Sequence, residues 1–321
     1  MAKLDEPIKT PVLFLIFNRS DTTKRVWEVI RQVQPSHLFI AADGPRKDRD
    51  SDADKCRNVR QIVNQIDWDC EVKRLFRDKN LGCGIAVASA IDWFFENVEY
   101  GIILEDDCLP HPSFFQFCQE LLERYRDDER IMTISGDNFQ LGLNLTSYSY
   151  YFSRYNHSWG WATWRRAWKY FDFQMKLWPE IREQGFLSSI FKKQGVIYWT
   201  KIFDEVYQGA DDIWDYQWTV SCWSQNGLSI LPNVNLVTNI GFCSNEATHT
   251  SGKCKRFSIP SDEMAFPLRH PQFIMRNGQA DDFTDRNVFR ISFFIESARY
   301  VRSLYRQAIK RWQKKDHASN K

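Results

Sequence analysis

The chain has 321 residues, of which 43% are hydrophobic and 26% are charged, as is typical of a soluble globular enzyme with one large core or two smaller ones. Its formal net charge of +2 argues against a nucleic-acid-binding protein, because such proteins carry a strong basic excess. No apolar run has the length of a signal peptide or a membrane span, and the eight cysteines lack the spacing of a zinc site or disulfide framework. We therefore expect a cytoplasmic protein with reduced thiols.

The first half of the chain alternates between apolar runs of strand length and segments with helical periodicity. The predicted strands cover residues 12–17, 37–42, 71–76, 101–104 and 131–135. The first predicted helix is capped by Ser20 or Asp21, and others follow at 52–66, after 80–84 and at 112–125. This alternation predicts an α/β fold with a mostly parallel sheet flanked by helices.

Polar residues follow four of these strands, at the edge of the sheet where right-handed crossovers bring the turns together. They are Asn18, Arg19, Asp43, Arg77 and the acidic triplet Glu105, Asp106 and Asp107. Crowded carboxylates repel one another, so a triplet after a buried strand is typical of a cation-binding or catalytic site, and the alternative is a solvated turn. The sequence therefore predicts a crevice that binds a divalent metal, Mn²⁺ or Mg²⁺, and a diphosphate beside a nucleoside.

The second half of the chain is richer in aromatic residues, with four tryptophans between positions 159 and 168. Trp164 and Trp168 are four residues apart, so we expect both to pack in the core from a helix. Trp159 and Trp161 flank Gly160 and are predicted to form the wall of a sugar pocket, because aromatic rings stack on the apolar faces of sugars.

A second acidic group lies at residues 211–218, which are predicted to start a helix and include Asp211, Asp212 and Asp215. The helix dipole stabilises a carboxylate there as an anion, while apolar neighbours raise its pKa. Asp212 and Asp215 are therefore candidate general bases, and the alternative is that one of the three residues is an ordinary helix cap.

Two further features lie towards the end of the chain. His249 and Lys253 belong to a polar loop that suits a lid over phosphates, and the alternative is an exposed basic loop. In the segment 287–321, apolar residues recur at intervals of three and four, and seven Lys or Arg residues without an acid lie between Arg299 and Lys315. This pattern predicts a basic amphipathic helix that packs on the domain, lies on the inner face of an anionic membrane or pairs with a second copy.

Taken in order, these motifs resemble the GT-A glycosyltransferases, whose acidic DxD motif holds a divalent ion against the diphosphate of a nucleotide-sugar. The resemblance is greatest to the N-acetylglucosaminyltransferase I family, whose corresponding triplet is Glu-Asp-Asp. The matching segments cover roughly residues 10–252 and are the strand at 12–18, the triplet at 105–107, the sequence Ser-Trp-Gly-Trp at 158–161, the helix start at 211–218 and the loop with His249.

The resemblance implies a GT-A domain over 1–286, with a nucleotide-sugar-binding half at about 10–140 and an acceptor half at about 141–286, followed by the helix at 287–321. It implies that Asp107 and His249 bind the metal, that Asp106 faces the ribose and that Glu105 faces the donor sugar. Asp43 would approach the base and Arg19 the nucleotide. The catalytic base of the family corresponds to Asp215, with Asp212 as the alternative.

The function implied is a metal-dependent, inverting transfer of sugar from a nucleotide-sugar, a UDP-sugar in particular, to a hydroxyl of a glycan or other acceptor. The chain resembles a soluble bacterial member of the family. Two alternatives remain open, namely a sugar-1-phosphate nucleotidyltransferase and a non-catalytic protein that binds nucleotides or glycans. The first of these usually has a Gly-rich basic loop after strand one, which residues 18–21 lack.

Overall fold

The computed structural model describes residues 8–210, 212–241, 259–289 and 291. His249, Lys253 and most of the predicted C-terminal helix lie outside these ranges. Within them, none of the helices combines the length and apolar character needed to cross a membrane.

Eight strands form one sheet, and two short strands form a separate ribbon. The sheet contains β1 (Val12–Ile16), β2 (His37–Ala42), β3 (Glu71–Phe76), β4 (Tyr100–Glu105), β6 (Ile131–Ser135), β7 (Tyr150–Ser153), β8 (Trp161–Trp164) and β9 (Leu228–Pro232). The antiparallel ribbon contains β5 (Cys108–Pro110) and β10 (Val237–Asn239).

Helices cover the sheet, and several of them lie between β8 and β9 in the second half of the chain. They are α1 (Ser20–Val33), α2 (Asp52–Ile62), α3 (Cys83–Asn97), α4 (Ser113–Arg124), α5 (Arg165–Trp168), α6 (Trp178–Glu183), α7 (Lys193–Tyr207), α8 (Asp215–Ser224) and α9 (Gly278–Asn287), with a 3-10 helix at Phe186–Ser189.

The strand order in the sheet is β3-β2-β1-β4-β8-β6-β9-β7. β8 runs antiparallel to both β4 and β6, and β7 runs antiparallel to β9, while the other neighbours pair in parallel. Six of the eight strands therefore share one direction. The predicted α/β fold with a mostly parallel sheet is confirmed.

The central strand β1 shows why the sheet forms. All five of its residues are buried, because successive side chains point to opposite faces and helices cover both. Val12, Phe14 and Ile16 belong to the core cluster shared with α1 and α4, whereas Leu13 and Leu15 belong to the cluster shared with α3 and α8. A strand buried on both faces needs a continuous apolar run, which is the pattern that identified it.

Two predicted boundaries need correction. Ser20 is the first residue of α1 rather than its cap; Arg19 is the N-cap, and its carbonyl accepts the hydroxyl protons of Thr22 and Thr23. The fourth strand extends beyond the apolar run to Glu105, because this residue pairs with Leu15 of β1. Glu105 is thus held by the sheet itself.

The tryptophan cluster packs mainly in the core. Trp161 is 1% exposed, and its ring stacks on that of Trp214 at 5.4 Å between centroids. Its predicted place in a sugar pocket is therefore wrong, because β8 lies inside the sheet and directs this side chain into the core beneath α8. Trp159 is only partly buried and contacts Phe139 at 4.9 Å. Trp164 and Trp168 are both buried as expected, although Trp164 ends β8 instead of lying in a helix.

The last described residues pack on the same core. The ring of Phe289 lies 4.8 Å from that of Trp199 in α7, and Ile291 contacts the cluster beneath α8. The segment that follows α9 therefore starts against the domain, and its continuation as an amphipathic helix stays a prediction.

Replacing Trp161 with alanine should lower the free energy of unfolding by about 3–5 kcal/mol, because the change leaves a large cavity in a close-packed core. Urea denaturation checks this value. Trp159→Ala is the matched control and should cost clearly less, since that ring is only partly buried. An equal loss in the two variants would contradict the assignment of Trp161 to the core.

Candidate functional site

A crevice with a volume of about 210 Å³ opens at the carboxyl ends of β1, β2 and β4, against the first turn of α3. Its charged lining residues are Arg19, Asp43, Arg46, Arg77, Glu105, Asp106 and Asp212. The structure thus brings together six residues that the sequence identified, and adds Arg46.

Two residues of the acidic triplet, Glu105 and Asp106, form one side of the crevice. Glu105 ends β4, and Asp106 and Asp107 form the turn into β5. Asp106 Oδ2 accepts a hydrogen bond from the Phe17 backbone N–H at 3.2 Å. Arg19 Nη1 donates to Asp107 Oδ2 at 2.7 Å and lies 4.0 Å from Asp106 Oδ1. The positive charge of the Arg19 guanidinium therefore offsets the negative charges of two of the three carboxylates.

The crowding of these carboxylates changes their protonation. Burial raises the pKa of Glu105 to about 8, and the charges of Asp107 and Asp106 add to the effect. Burial also raises the pKa of Asp106 to about 6, although Arg19 acts in the opposite direction. Near neutral pH the triplet therefore holds a proton, so Glu105 is able to donate a hydrogen bond as well as accept one.

The opposite end of the crevice is organised by Asp43, which follows β2. Its carboxylate accepts hydrogen bonds from the backbone N–H of Gly44 at 2.9 Å, from that of Leu81 at 3.0 Å and from the side-chain amide of Asn80 at 2.8 Å. Burial raises the pKa of Asp43, while the bonds from Leu81 and Gly44 lower it. Asp43 thus holds the loop that leads into α3, and Arg77 reaches α3 through a 2.8 Å bond from Nη2 to Ser89 Oγ.

Asn18 supports the crevice from behind rather than lining it. Its side-chain amide donates to Asp52 Oδ1 at 3.0 Å, and Arg46 Nη2 donates to the same oxygen at 3.0 Å. The guanidinium of Arg46 lies 5.2 Å from the Phe17 ring centre and faces the crevice. The sequence predicted Asn18 as a site residue but did not identify Arg46. Arg46 belongs to the polar turn that follows β2 and begins with Asp43.

The second acidic group reaches the same crevice from a distant part of the chain. Asp212 Oδ2 accepts from the backbone N–H of Cys83 at 2.7 Å, and its Oδ1 accepts from that of Gly84 at 2.8 Å. Asp212 therefore caps α3 rather than its own helix. The N-cap of α8 is Trp214, without a side-chain cap bond, so a cap from this acidic group on α8 is not found among the described residues.

Asp215 is the first residue of α8 and lies close enough to Glu105 for its charge to contribute to the raised pKa of that residue. Desolvation of the Cys83 thiol raises its pKa, and so do four carboxylates, those of Glu105, Asp212, Asp215 and Asp107. Cys83 lines the crevice together with Glu105, Asp106 and Asp212, so residues of both acidic groups lie near it. No sequence signal pointed to this cysteine, because its neighbours come from remote segments.

After β10 the chain passes close to Asp107 of the acidic triplet. The Ile240 N–H donates to the Asp107 carbonyl at 2.8 Å, and a Cβ added to Gly241 would lie 2.3 Å from Asp107 Oδ2. Only a glycine fits this approach. The segment with His249 and Lys253 follows directly, outside the described residues.

Among the described residues, no group of three or more His, Cys, Asp or Glu side chains is arranged to hold a metal ion. Carboxylate oxygens are nevertheless the ligands that Mg²⁺ and Mn²⁺ prefer, and Mg²⁺ is commonly held by one or two carboxylates together with substrate phosphates. Asp107 at the crevice fits such a site if a diphosphate supplies the remaining oxygens.

No family model matches the chain, and no curated protein matches it. Among solved structures, it is similar to UDP-glucose pyrophosphorylase complexed with UDP-glucose, with 10% identity and a TM-score of 0.37 over 72% of this chain and 93% of that one. The apo form of a UDP-glucose pyrophosphorylase gives 8% identity and the same TM-score and coverage.

HddC from Yersinia pseudotuberculosis is a third similar structure, with 10% identity and a TM-score of 0.29 over 49% of this chain and 77% of that one. Identities of 10% or less with TM-scores below 0.4 assign neither a family nor an activity. The expected relation to the N-acetylglucosaminyltransferase I family stays a prediction.

Replacing Glu105 with glutamine should stabilise the protein at alkaline pH. The folded-state pKa is raised from the ordinary 4.5 to about 8, so the stability that Glu105 contributes is present below pH 4.5 and is lost as the pH rises through 8. One pKa unit corresponds to about 1.4 kcal/mol, so we expect the variant to gain at least about 1 kcal/mol over wild type at pH 9 and little at pH 4.5.

Urea denaturation at the two pH values measures this difference. Glu96→Gln, an exposed change on α3, is the control and should have little effect at either pH. If Glu105→Gln behaves like the control at pH 9, the crowding described above does not affect the protonation of Glu105.

Proposed function

We propose that the chain is a metal-dependent glycosyltransferase that moves a sugar from a nucleotide-sugar, a UDP-sugar, to a hydroxyl of a glycan acceptor with inversion of configuration. The observation that carries the proposal is the crevice at the carboxyl ends of β1, β2 and β4, which brings Glu105 and Asp106 together with Asp212 of the segment before α8. Direct displacement at an anomeric carbon requires a carboxylate base near the donor, and Asp215 follows Asp212 by three residues, at the first position of α8.

The triplet and its surroundings suit the donor. Asp107 would hold the metal, whose positive charge would offset the negative charge that develops on the departing nucleoside diphosphate. Arg19, now bonded to Asp107, lies where it can also contact phosphate. Asp43, Arg46 and Arg77 occupy the far end of the crevice and suit the nucleoside. Glu105, protonated in part at neutral pH, faces the donor sugar.

Asp215 is the better of the two candidate bases. Both oxygens of Asp212 already accept backbone N–H groups of α3, so this carboxylate is committed to a structural bond. Asp215 takes the proton of the acceptor hydroxyl as that oxygen attacks the anomeric carbon from the face opposite the diphosphate. A single displacement with one base leads to inversion.

The connection between β1 and α1 favours this proposal over a nucleotidyltransferase. β1 ends at Ile16 and α1 begins at Ser20, so only three residues lie between them. None of the three is a glycine, which leaves no room for a Gly-rich phosphate loop.

Metal-dependent release of nucleoside diphosphate should be measured across a panel of nucleotide-sugars, with acceptor mixtures. We expect turnover with one donor, its loss with EDTA and a decrease of at least about 100-fold in Asp107→Asn, because a catalytic metal is worth several kcal/mol of transition-state stabilisation. Asp54→Asn, an exposed change on α2, is the control.

Three other outcomes decide between the alternatives. Pyrophosphate formation from a nucleoside triphosphate and a sugar-1-phosphate would favour a nucleotidyltransferase. The absence of turnover in every assay, together with the absence of metal-assisted nucleotide binding by calorimetry, would contradict the enzyme proposal. Nucleotide or glycan binding without turnover would leave a binding protein.

Replacing Asp215 with asparagine removes the base but preserves the size of the side chain. We expect kcat to fall by about 10²–10⁴-fold while the dissociation constant of the donor stays near that of wild type. Steady-state kinetics and calorimetry measure the two quantities. Equal losses of binding and turnover would assign Asp215 to donor binding instead.

A further inference from the structure

Asp212 joins two segments that are far apart in the sequence. Its oxygens accept the backbone N–H groups of Cys83 and Gly84, the first two residues of the 15-residue helix α3. The first N–H groups of a helix have no partner within it, and the helix dipole favours an anion there. The N-cap residue of α3 is Gly82, which has no side chain to supply a cap. Asp212 provides the cap that the local sequence lacks.

The glycines at the start of α3 make room for this contact. Gly82 has a φ of +84°, and a Cβ there would lie 2.6 Å from Asp212 Oδ2. A Cβ on Gly84 would lie 2.7 Å from the carbonyl oxygen of Ile213. A helix was expected to begin after residues 80–84, and the structure shows that Gly82 and Gly84 in this turn also leave room for the segment 212–213.

The same segment leads directly to Asp215. The carbonyl of Ile213 accepts a hydrogen bond from Gln217 Nε2 at 3.0 Å, within the first turn of α8. The side chain of Trp214 is 4% exposed and stacks on Trp161. Only Ile213 and Trp214 separate the cap from Asp215, and each makes a contact, so the connection between the start of α3 and the start of α8 is short and ordered.

We propose that Asp212 is a positioning residue: by capping α3 it anchors the start of α8 to the donor-binding crevice and sets the position of Asp215 relative to Glu105. The role given to Asp215 rests on the proposed function, whereas the anchoring is a property of the fold. Asp212 acts through Asp215 and takes no proton from the acceptor.

Substitutions at Asp212 and at Gly82 test the anchor from opposite sides. Asp212→Ala removes both acceptor oxygens, whereas Asp212→Asn keeps one and loses the charge. Gly82→Ala leaves Asp212 intact but pushes it off the helix. Gly142→Ala is the matched control, because Gly142 has a φ of +85° and nothing lies within 4 Å of an added Cβ. Both glycine variants share the cost of a left-handed backbone, and only one disturbs the cap.

Hydrogen exchange of the backbone amides at the starts of α3 and α8 is the first measurement. We expect exchange to accelerate at least 10-fold at both sites in Asp212→Ala and Gly82→Ala, and to stay near wild type in Gly142→Ala. Faster exchange confined to α3 would overturn the proposal, because α8 would then be positioned without the cap. This readout needs no substrate, so it also decides the anchoring if the proposed transferase activity is not found.

Kinetics with the donor that the nucleotide-sugar panel identifies is the second measurement. We expect kcat to fall at least 10-fold in Asp212→Ala and Gly82→Ala, with a partial recovery in Asp212→Asn and with the pH dependence of kcat unchanged in shape. A loss in Asp212→Asn as large as that in Asp215→Asn, with its acidic limb removed from the pH profile, would overturn the proposal and make Asp212 the base.

Discussion

The repulsion among Glu105, Asp106 and Asp107 is the constraint that the surrounding crevice is arranged to relieve. The sheet fixes Glu105 beside Leu15, so this carboxylate stays close to its neighbours. Relief comes from the guanidinium of Arg19, from the Phe17 N–H and from partial protonation of the triplet. In the proposed function, a divalent metal would take over the charge compensation that Arg19 and the proton provide.

Hydrogen bonds from backbone N–H groups to carboxylates connect the two sides of the site, in addition to the bonds between side chains. Asp43 holds the loop before α3 from the β2 side, and Asp212 holds the first N–H groups of α3 from the α8 side. The start of α3 therefore lies between two carboxylates, each of which accepts from the backbone. Gly82 and Gly84 are required because the approach leaves no room for a Cβ.

The sequence predicted the parallel strands β1, β2, β3 and β4 and the crevice at their carboxyl ends because both follow from local patterns. Buried strands such as β1 need apolar runs, and the residues after parallel strands must meet at one edge. Trp161 was misplaced because its environment depends on β8 entering the sheet antiparallel between β4 and β6, which no local pattern indicates. The partner of Asp212 was missed for a related reason, since a helix cap supplied from more than 100 residues away leaves no sequence signal.

The insertion of β8 also bears on how the chain folds. Tyr100 at the start of β4 pairs with Trp164 at the end of β8, so the strand that carries the acidic triplet is complete only after a distant segment has been added. Until then β4 is an edge strand with unpaired N–H and C=O groups, which invites association with other chains. Non-local pairing of this kind slows folding, so the nascent first half depends on the second for protection against aggregation.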